Sequence, residues 1–357
     1  MSSPFKFTQL VEPSTNADPS HLPNDFQPTI AYLAGQCCSL SYQQYAKYPD
    51  KLPARGQLDK GWTYELIGDP IITSEAISAS PTIGKTGDYR KVPAGFAAVC
   101  KSHDHPEGIN IIALRGTSTN AEWIKDFEAY PTQFLVGDNN GQGYEEGHLF
   151  GSYTEAGTVY GGFLDFYTQG INGTPPVKSE NGRGVVNTYY NYSRPDGSIA
   201  KAIQNILEDS SFNANLPLCI TGHSLGAGLA IICATDIQIN FPSKFSELGM
   251  YNLAGPRVAA GIEVEGHTIF GPASKFVNYY DSHIPHSFRI VNAADIIPIV
   301  TPTKLTVGPG VIDFAHVVAQ NQVSFCAQTG SIIDNHSCDK TYVPYLKFLA
   351  ENMNPSY

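Results

Sequence analysis

The chain has 357 residues, 42% of them hydrophobic and only 15% charged. That apolar content supports a sizeable core and excludes global disorder, which needs high charge and few apolar groups. With 22 basic against 33 acidic side chains the net charge is −11. No Lys/Arg cluster occurs, so neither nucleic acid nor an anionic lipid surface is an expected partner. The longest nearly unbroken apolar run, residues 227–234, is far short of the roughly 20 residues that span a bilayer, and no integral membrane segment is predicted.

Residues 1–28 are polar and proline-punctuated and read as an extended N-terminal arm without the apolar region of a secretory signal. The expectation is a cytoplasmic protein or a mature secreted form, and sequons at Asn172 and Asn191 lean towards the second. Residues 29–357 read as one domain. Apolar positions Ile30, Leu33, Ala34, Cys37 and Leu40 predict a helix over 29–45. The runs 96–100 and 109–114, either side of a polar turn at 103–108, predict a two-stranded hairpin. Helical spacing recurs around Phe163, Phe166 and Tyr167, and again at Ile199, Ile203, Ile206 and Leu207. A buried strand over 216–221 runs into a helix of small residues over 225–237. Strands at 250–253 and 288–291 and a closing helix at 342–352 complete the series.

Strands alternating with helices after a hairpin predict an α/β fold with a mostly parallel central sheet and helices on both faces. Two stretches rich in Gly, Asn, Tyr and Ser, 137–160 and 170–196, lack periodicity and are expected to be surface insertions. Of seven cysteines, Cys219 and Cys233 lie in apolar segments and read as buried thiols. Cys37, Cys38, Cys326 and Cys338 are free to pair, which predicts at most one or two disulfides.

The sharpest chemical signal is Gly222-His223-Ser224-Leu225-Gly226, set between a buried strand and a helix. That setting defines a nucleophile elbow: the serine sits on a strained turn, and bulk two residues before or after it would strike strand and helix. The helix N-terminus offers backbone N–H groups to an oxyanion. A serine nucleophile needs a base, and the base needs an orienting carboxylate, in the chain order Ser, Asp/Glu, His for α/β-hydrolases. Asp295, an acid among apolar neighbours that needs a dedicated partner, is preferred to Asp281 and Asp313. Of the two histidines beyond it, His336 stands in a loop before the terminal helix and reads as the base, whereas His316 reads as a core residue.

Four motifs in order, Leu114-Arg115-Gly116-Thr117, the elbow, Ala254-Gly255-Pro256-Arg257-Val258 and Asn292-Ala293-Ala294-Asp295-Ile296-Ile297-Pro298, followed by His336, resemble the class 3 lipases, the fungal-lipase-like α/β-hydrolases. The resemblance covers roughly residues 30–350. It implies Ser224 as nucleophile, Asp295 as orienter, His336 as base, and an oxyanion hole from Thr117 and the Leu225 N–H. Residue order agrees on Thr117, which follows a strand at the sheet edge where open α/β sheets bind ligands. Leu114 stands where the family usually has an aromatic, and Tyr160-Gly161-Gly162-Phe163 replaces a His-containing version.

Residues 118–131 place Trp123, Ile124, Phe127 and Tyr130 at helical spacing among charged residues. The segment resembles the lid of these lipases, with an ordinary surface helix as the alternative. The pairs His103/His105 and His283/His286 lack a third ligand and read as solvated turns, so no metal site is predicted. The sequon at Asn335 contains the expected base and reads as chance. Together these readings predict a hydrolase of carboxylic esters, of acylglycerols in particular, with no metal or organic cofactor and a lipid or other ester substrate met at an oil–water interface. Phospholipase A1 or feruloyl esterase activity, or a non-catalytic signalling scaffold, are the alternatives.

Overall fold

Helix α1 (Pro28–Lys47) opens with a proline at its first turn, where a missing N–H breaks no helical hydrogen bond. Strands β1 (Arg55–Gln57), β2 (Thr63–Ala76), β3 (Tyr89–Lys101), β4 (Ile109–Leu114), β5 (Pro131–Gln133) and β6 (Thr158–Tyr160) follow, then helix α2 (Gly161–Thr168). A short hairpin of β7 (Lys178–Ser179) and β8 (Tyr189–Tyr190) precedes α3 (Ile199–Glu208), β9 (Leu218–His223), α4 (Leu225–Asn240) and β10 (Leu248–Leu253). The chain continues through β11 (Ala259–Val264), β12 (His267–Phe270), α5 (Ala273–His283), β13 (His286–Asn292), α6 (Ile297–Val300), β14 (Lys304–Val307) and β15 (Gly310–Ala315). It closes with β16 (Gln322–Phe325), α7 (Ile332–Asn335), a π-helical turn Cys338–Tyr342, and α8 (Val343–Asn352). The computed structural model describes residues 22–23, 25–76, 89–116, 131–133, 156–170, 178–179, 189–190, 194, 196–264, 267–270 and 272–353.

An eight-stranded sheet runs in the order β1-β2-β3-β4-β9-β10-β13-β16. The pairs from β4 onward are parallel, and the first three strands join antiparallel. Both faces are covered, which is why the central strands read as unbroken apolar runs rather than alternating ones. Ile112, Leu114, Ile220 and Met250 face the core built with α2, α3, α4 and α5. Ile111, Ala113, Cys219 and Tyr251 face the other core, built with α1 and α8. This is the α/β-hydrolase architecture that the motif order implies.

Two expectations need correction. First, a six-stranded antiparallel sheet of β5, β6, β11, β12, β14 and β15 stands beside the main one. Residues 156–160, expected within a surface insertion, belong to it: Ala156, Val159 and Tyr160 are buried, and Val159 pairs with Ala259. Second, the expected arm of 1–28 reaches the core before it ends. Phe26 is buried edge-on against Tyr251 and Phe288, with ring centroids 5.9 and 5.3 Å away. All seven cysteines are free thiols, within the expected limit of one or two disulfides, and all but Cys326 are buried. Cys37 and Cys38 point from α1 into the core and fill it as small apolar groups. Burial pushes the Cys38 thiol up to about 12, and its sulfur contacts Thr221 Oγ1 at 3.2 Å.

Candidate active site

Strand β9 and helix α4 meet at Ser224, whose φ of 60° and ψ of −128° are rare for any residue with a Cβ. The flanking glycines explain how the turn closes. A methyl on Gly222 would lie 2.1 Å from the Gly226 carbonyl oxygen, and one on Gly226 would lie 2.3 Å from that of Leu114. The Ser224 N–H is held by the Leu253 carbonyl at 3.0 Å, which ties the elbow to β10. Leu225 opens α4, so by position its N–H has no intrahelical acceptor. Ser224 is fully buried, and its Oγ has no hydrogen-bond partner among the described residues.

Asp295 lies just past the end of β13, and His336 just past α7. The two are brought together, His336 Nδ1 donating to Asp295 Oδ2 over 2.7 Å with both side chains buried. Asp295 takes two further donors, the Tyr342 hydroxyl on Oδ2 at 2.7 Å and the Ile297 N–H on Oδ1 at 2.9 Å. A buried carboxylate is tolerable only when satisfied in this way. Burial and the neighbouring Asp295 hold the Tyr342 phenol well above its ordinary range, so it stays a donor. With Nδ1 committed as a donor, the neutral His336 ring carries its lone pair on Nε2, the tautomer a general base needs. That Nε2 is buried and, like Ser224 Oγ, without a partner among the described residues.

Asn292 explains why the chain brings these two loops together. Its Nδ2 donates to the carbonyls of Ala327 and Asn335, at 3.0 and 2.9 Å, and its Oδ1 accepts the Ala327 and Ala294 N–H groups. Asn335 is buried with both ends of its amide engaged, Nδ2 on the Ala294 carbonyl and Oδ1 from Thr329. The sequon at Asn335 is therefore structural. Asn252 serves the Ala254–Val258 motif similarly, donating to the Ala227 carbonyl and accepting from the Gly255 N–H.

Sequence reasoning missed two further members. His223 is buried directly before Ser224, its Nε2 2.8 Å from the His336 carbonyl and its Nδ1 2.9 Å from the Tyr42 hydroxyl. Burial, then the neighbouring His336, hold the His223 ring well below the ordinary histidine range. The Tyr42 oxygen accepts the Gly116 N–H at 3.0 Å, while Arg115 donates to the Gly116 carbonyl at 2.6 Å. The only sequence signal for Tyr42 is its place on α1, which the pattern presents as packing.

The remaining expectations divide. Thr117, and Trp123, Ile124 and Phe127 of the expected lid, lie outside the described residues. His316 bonds the Pro298 backbone while His336 takes Asp295, and its partly buried ring is pushed down to about 2, by burial first and then by Arg289 and Arg257. Asp281 accepts the Val318 N–H and Asp313 the Ala273 N–H, so both tie α5 to β15 and the loop after it. His105 stacks on Trp62, and His286 pairs with Glu247 at 3.0 Å. Among the described residues no group of three or more His, Cys, Asp or Glu is placed to hold a metal ion, and no helix is long and apolar enough to cross a membrane.

A strand–turn–helix elbow on a mostly parallel sheet, with a buried Asp–His pair on the loops after later strands, is the arrangement of the α/β-hydrolase fold. Residues 111–305 match the model of the lipase (class 3) family, and the chain belongs to that family. The match ends before His336, which rests on geometry alone. A chloroplastic phospholipase A(1) of Arabidopsis thaliana is similar, 27% identical over 222 residues that cover 61% of this chain and 38% of that protein. A lipase of Caenorhabditis elegans is 30% identical over 123 residues, 34% of this chain and 30% of that protein. The chain thus spans well under half the length of these two relatives. The solved lipase II of Rhizopus niveus aligns over 92% of this chain and 96% of its own, at 16% identity and a TM-score of 0.40.

Proposed function

We propose that this protein is a serine carboxylic-ester hydrolase acting on acylglycerols. Ser224 attacks the ester carbonyl and His336 Nε2 takes its proton, while Asp295 holds the ring and stabilises the imidazolium. The tetrahedral oxyanion is held by the Leu225 N–H and Thr117. His336 then protonates the leaving alcohol, and water reverses the sequence on the acyl-enzyme. The observation that carries this reading is the buried His336–Asp295 pair with an unpartnered Nε2, beside a strained serine with an unpartnered Oγ. A lipid substrate is supported by four isoleucines that stay exposed on the short helices flanking the pair: Ile296 (44%), Ile299 (64%), Ile332 (61%) and Ile333 (66%). The Asn335–Ala294 hydrogen bond ties those two segments together, so the exposed isoleucines stand on the same two segments as the pair.

Phospholipase A1 activity is the second reading, favoured by the similarity to the Arabidopsis enzyme and opposed by the net charge of −11, which repels anionic headgroups. Rates on triolein, phosphatidylcholine, p-nitrophenyl butyrate and methyl ferulate separate the readings. Acylglycerol hydrolysis is expected to dominate. A preference for phosphatidylcholine would replace the first reading with the second.

A further inference from the structure

The hydrogen bonds around His223 have only one consistent set of directions. A carbonyl can only accept, so the His223 Nε2 facing the His336 oxygen at 2.8 Å carries the proton. Nδ1 of that neutral ring is then a lone pair, and it accepts the Tyr42 hydroxyl proton over 2.9 Å. The Tyr42 oxygen, having donated, accepts the Gly116 N–H at 3.0 Å. One phenol from α1 therefore touches both sides of Ser224 through a chain without ambiguity. On one side it fixes Gly116, the residue before Thr117. On the other, through His223, it fixes the main chain of His336.

We propose that Tyr42 and His223 are positioning residues for ester hydrolysis: the Tyr42 hydroxyl anchors Nδ1 of the Nε2–H ring, and that N–H pins the backbone of the base. The inference rests on Ser224 as nucleophile and His336 as base. It accounts for a histidine at the variable position of the elbow without giving it a proton to transfer. Removing the Tyr42 hydroxyl leaves Nδ1 without its donor and the Gly116 N–H without its acceptor. The ring keeps its Nε2–H on the His336 carbonyl but loses its second anchor, so ring and base can shift together. A shift of about 1 Å at a reacting group costs on the order of 100-fold in rate. Because neither residue is assigned a contact with the ester, the loss belongs in kcat and not in KM for a soluble ester.

Two readouts test this on the full chain. Histidine-selective ¹⁵N NMR reads the tautomer directly: His223 is expected as Nε2–H in the parent protein, and its Nδ1 resonance is expected to move when Tyr42→Phe removes the donor. An Nδ1–H ring in the parent would overturn the anchor, whatever Ser224 does. Hydrolysis of p-nitrophenyl butyrate is measured for Tyr42→Phe, His223→Leu, His223→Gln and the double variant Tyr42→Phe/His223→Gln, with urea midpoints alongside. Tyr42→Phe and His223→Leu are expected to lose about 10- to 100-fold in kcat at unchanged KM. His223→Gln, whose amide N–H can still reach the carbonyl, should recover part of the loss. Adding Tyr42→Phe to it should cost little more, because the two act through one chain. Full multiplication of the losses, or a Tyr42→Phe kcat within twofold of the parent, overturns the proposal. Retained activity in Ser224→Ala would instead overturn the reading of the site, while the NMR result still decides the anchor.

Discussion

Replacing Ser224 by glycine should abolish turnover and leave the protein more stable than Ser224→Ala. The backbone at Ser224, φ 60° and ψ −128°, lies where a Cβ crowds the neighbouring peptide units. Holding a non-glycine residue in such a conformation costs about 1–3 kcal/mol. Glycine removes that strain but adds unfolded-state entropy worth about 0.5–1 kcal/mol. The balance favours glycine by up to about 2.5 kcal/mol, with about 1 kcal/mol at mid-range. Alanine is the right comparison because both variants lose Oγ, so only the Cβ differs. For a chain of this size, m is about 3 kcal/mol/M or more in urea, so the midpoint should move up by roughly 0.3 M, and by no more than about 0.8 M, between the two. Urea unfolding followed by fluorescence, with equal m-values, reads the difference. A glycine variant no more stable than the alanine variant would mean that the elbow stores no strain.

Asp295→Asn should cost about 10³–10⁴ in kcat on p-nitrophenyl esters with the fold intact. The amide would present a donor where His336 and Tyr342 both donate; a loss under tenfold would contradict the orienting role. Acid should destabilise the fold through His223 and His316, both held neutral by burial. The unfolded rings bind protons below about pH 6.5, so stability is full above that pH and falls below it, by up to about 1.4 kcal/mol per pH unit for each ring. Urea midpoints between pH 7 and 5 should therefore decline less steeply in His316→Gln, and an unchanged slope would refute the assignment. Replacing Ile332 and Ile333 together by Ser should weaken binding to a triglyceride emulsion several-fold and leave dissolved esters turning over normally. Equal loss on both substrates would mean that these side chains support the fold.

Where local pattern and tertiary demand coincide, the sequence is legible. The buried runs of β4, β9 and β10 and the small-residue face of α4 obey one rule at both levels, and Gly222 and Gly226 are required by backbone contacts under 2.5 Å. Strand β2 hides because residues 68–70 are skipped in its pairing, Ile67 and Ile71 flanking a bulge that breaks the alternation. The second sheet hides because β5, β6 and β14 are only three or four residues long, and because Val159 of β6 finds its partner Ala259 only on the distant β11. At the site, Asp295 and His336 could be found because a hydrolase needs those residue types in that order. Tyr42 could not: it lies 181 residues before His223, on a helix whose pattern reports only packing. Asn292 carries its weight through side-chain bonds to main-chain groups of three separate loops, which no periodicity reveals.

The central claim is that Ser224 forms an acyl-enzyme with His336 as its base, and trapping that intermediate tests it most directly. Rapid acid quench of the enzyme turning over p-nitrophenyl butyrate, followed by peptide mass mapping, should find one butyryl group on the peptide containing Ser224. The adduct should be lost in Ser224→Ala and should form orders of magnitude more slowly in His336→Ala. A butyryl group on any other residue, or undiminished turnover with Ser224 replaced, would contradict the account.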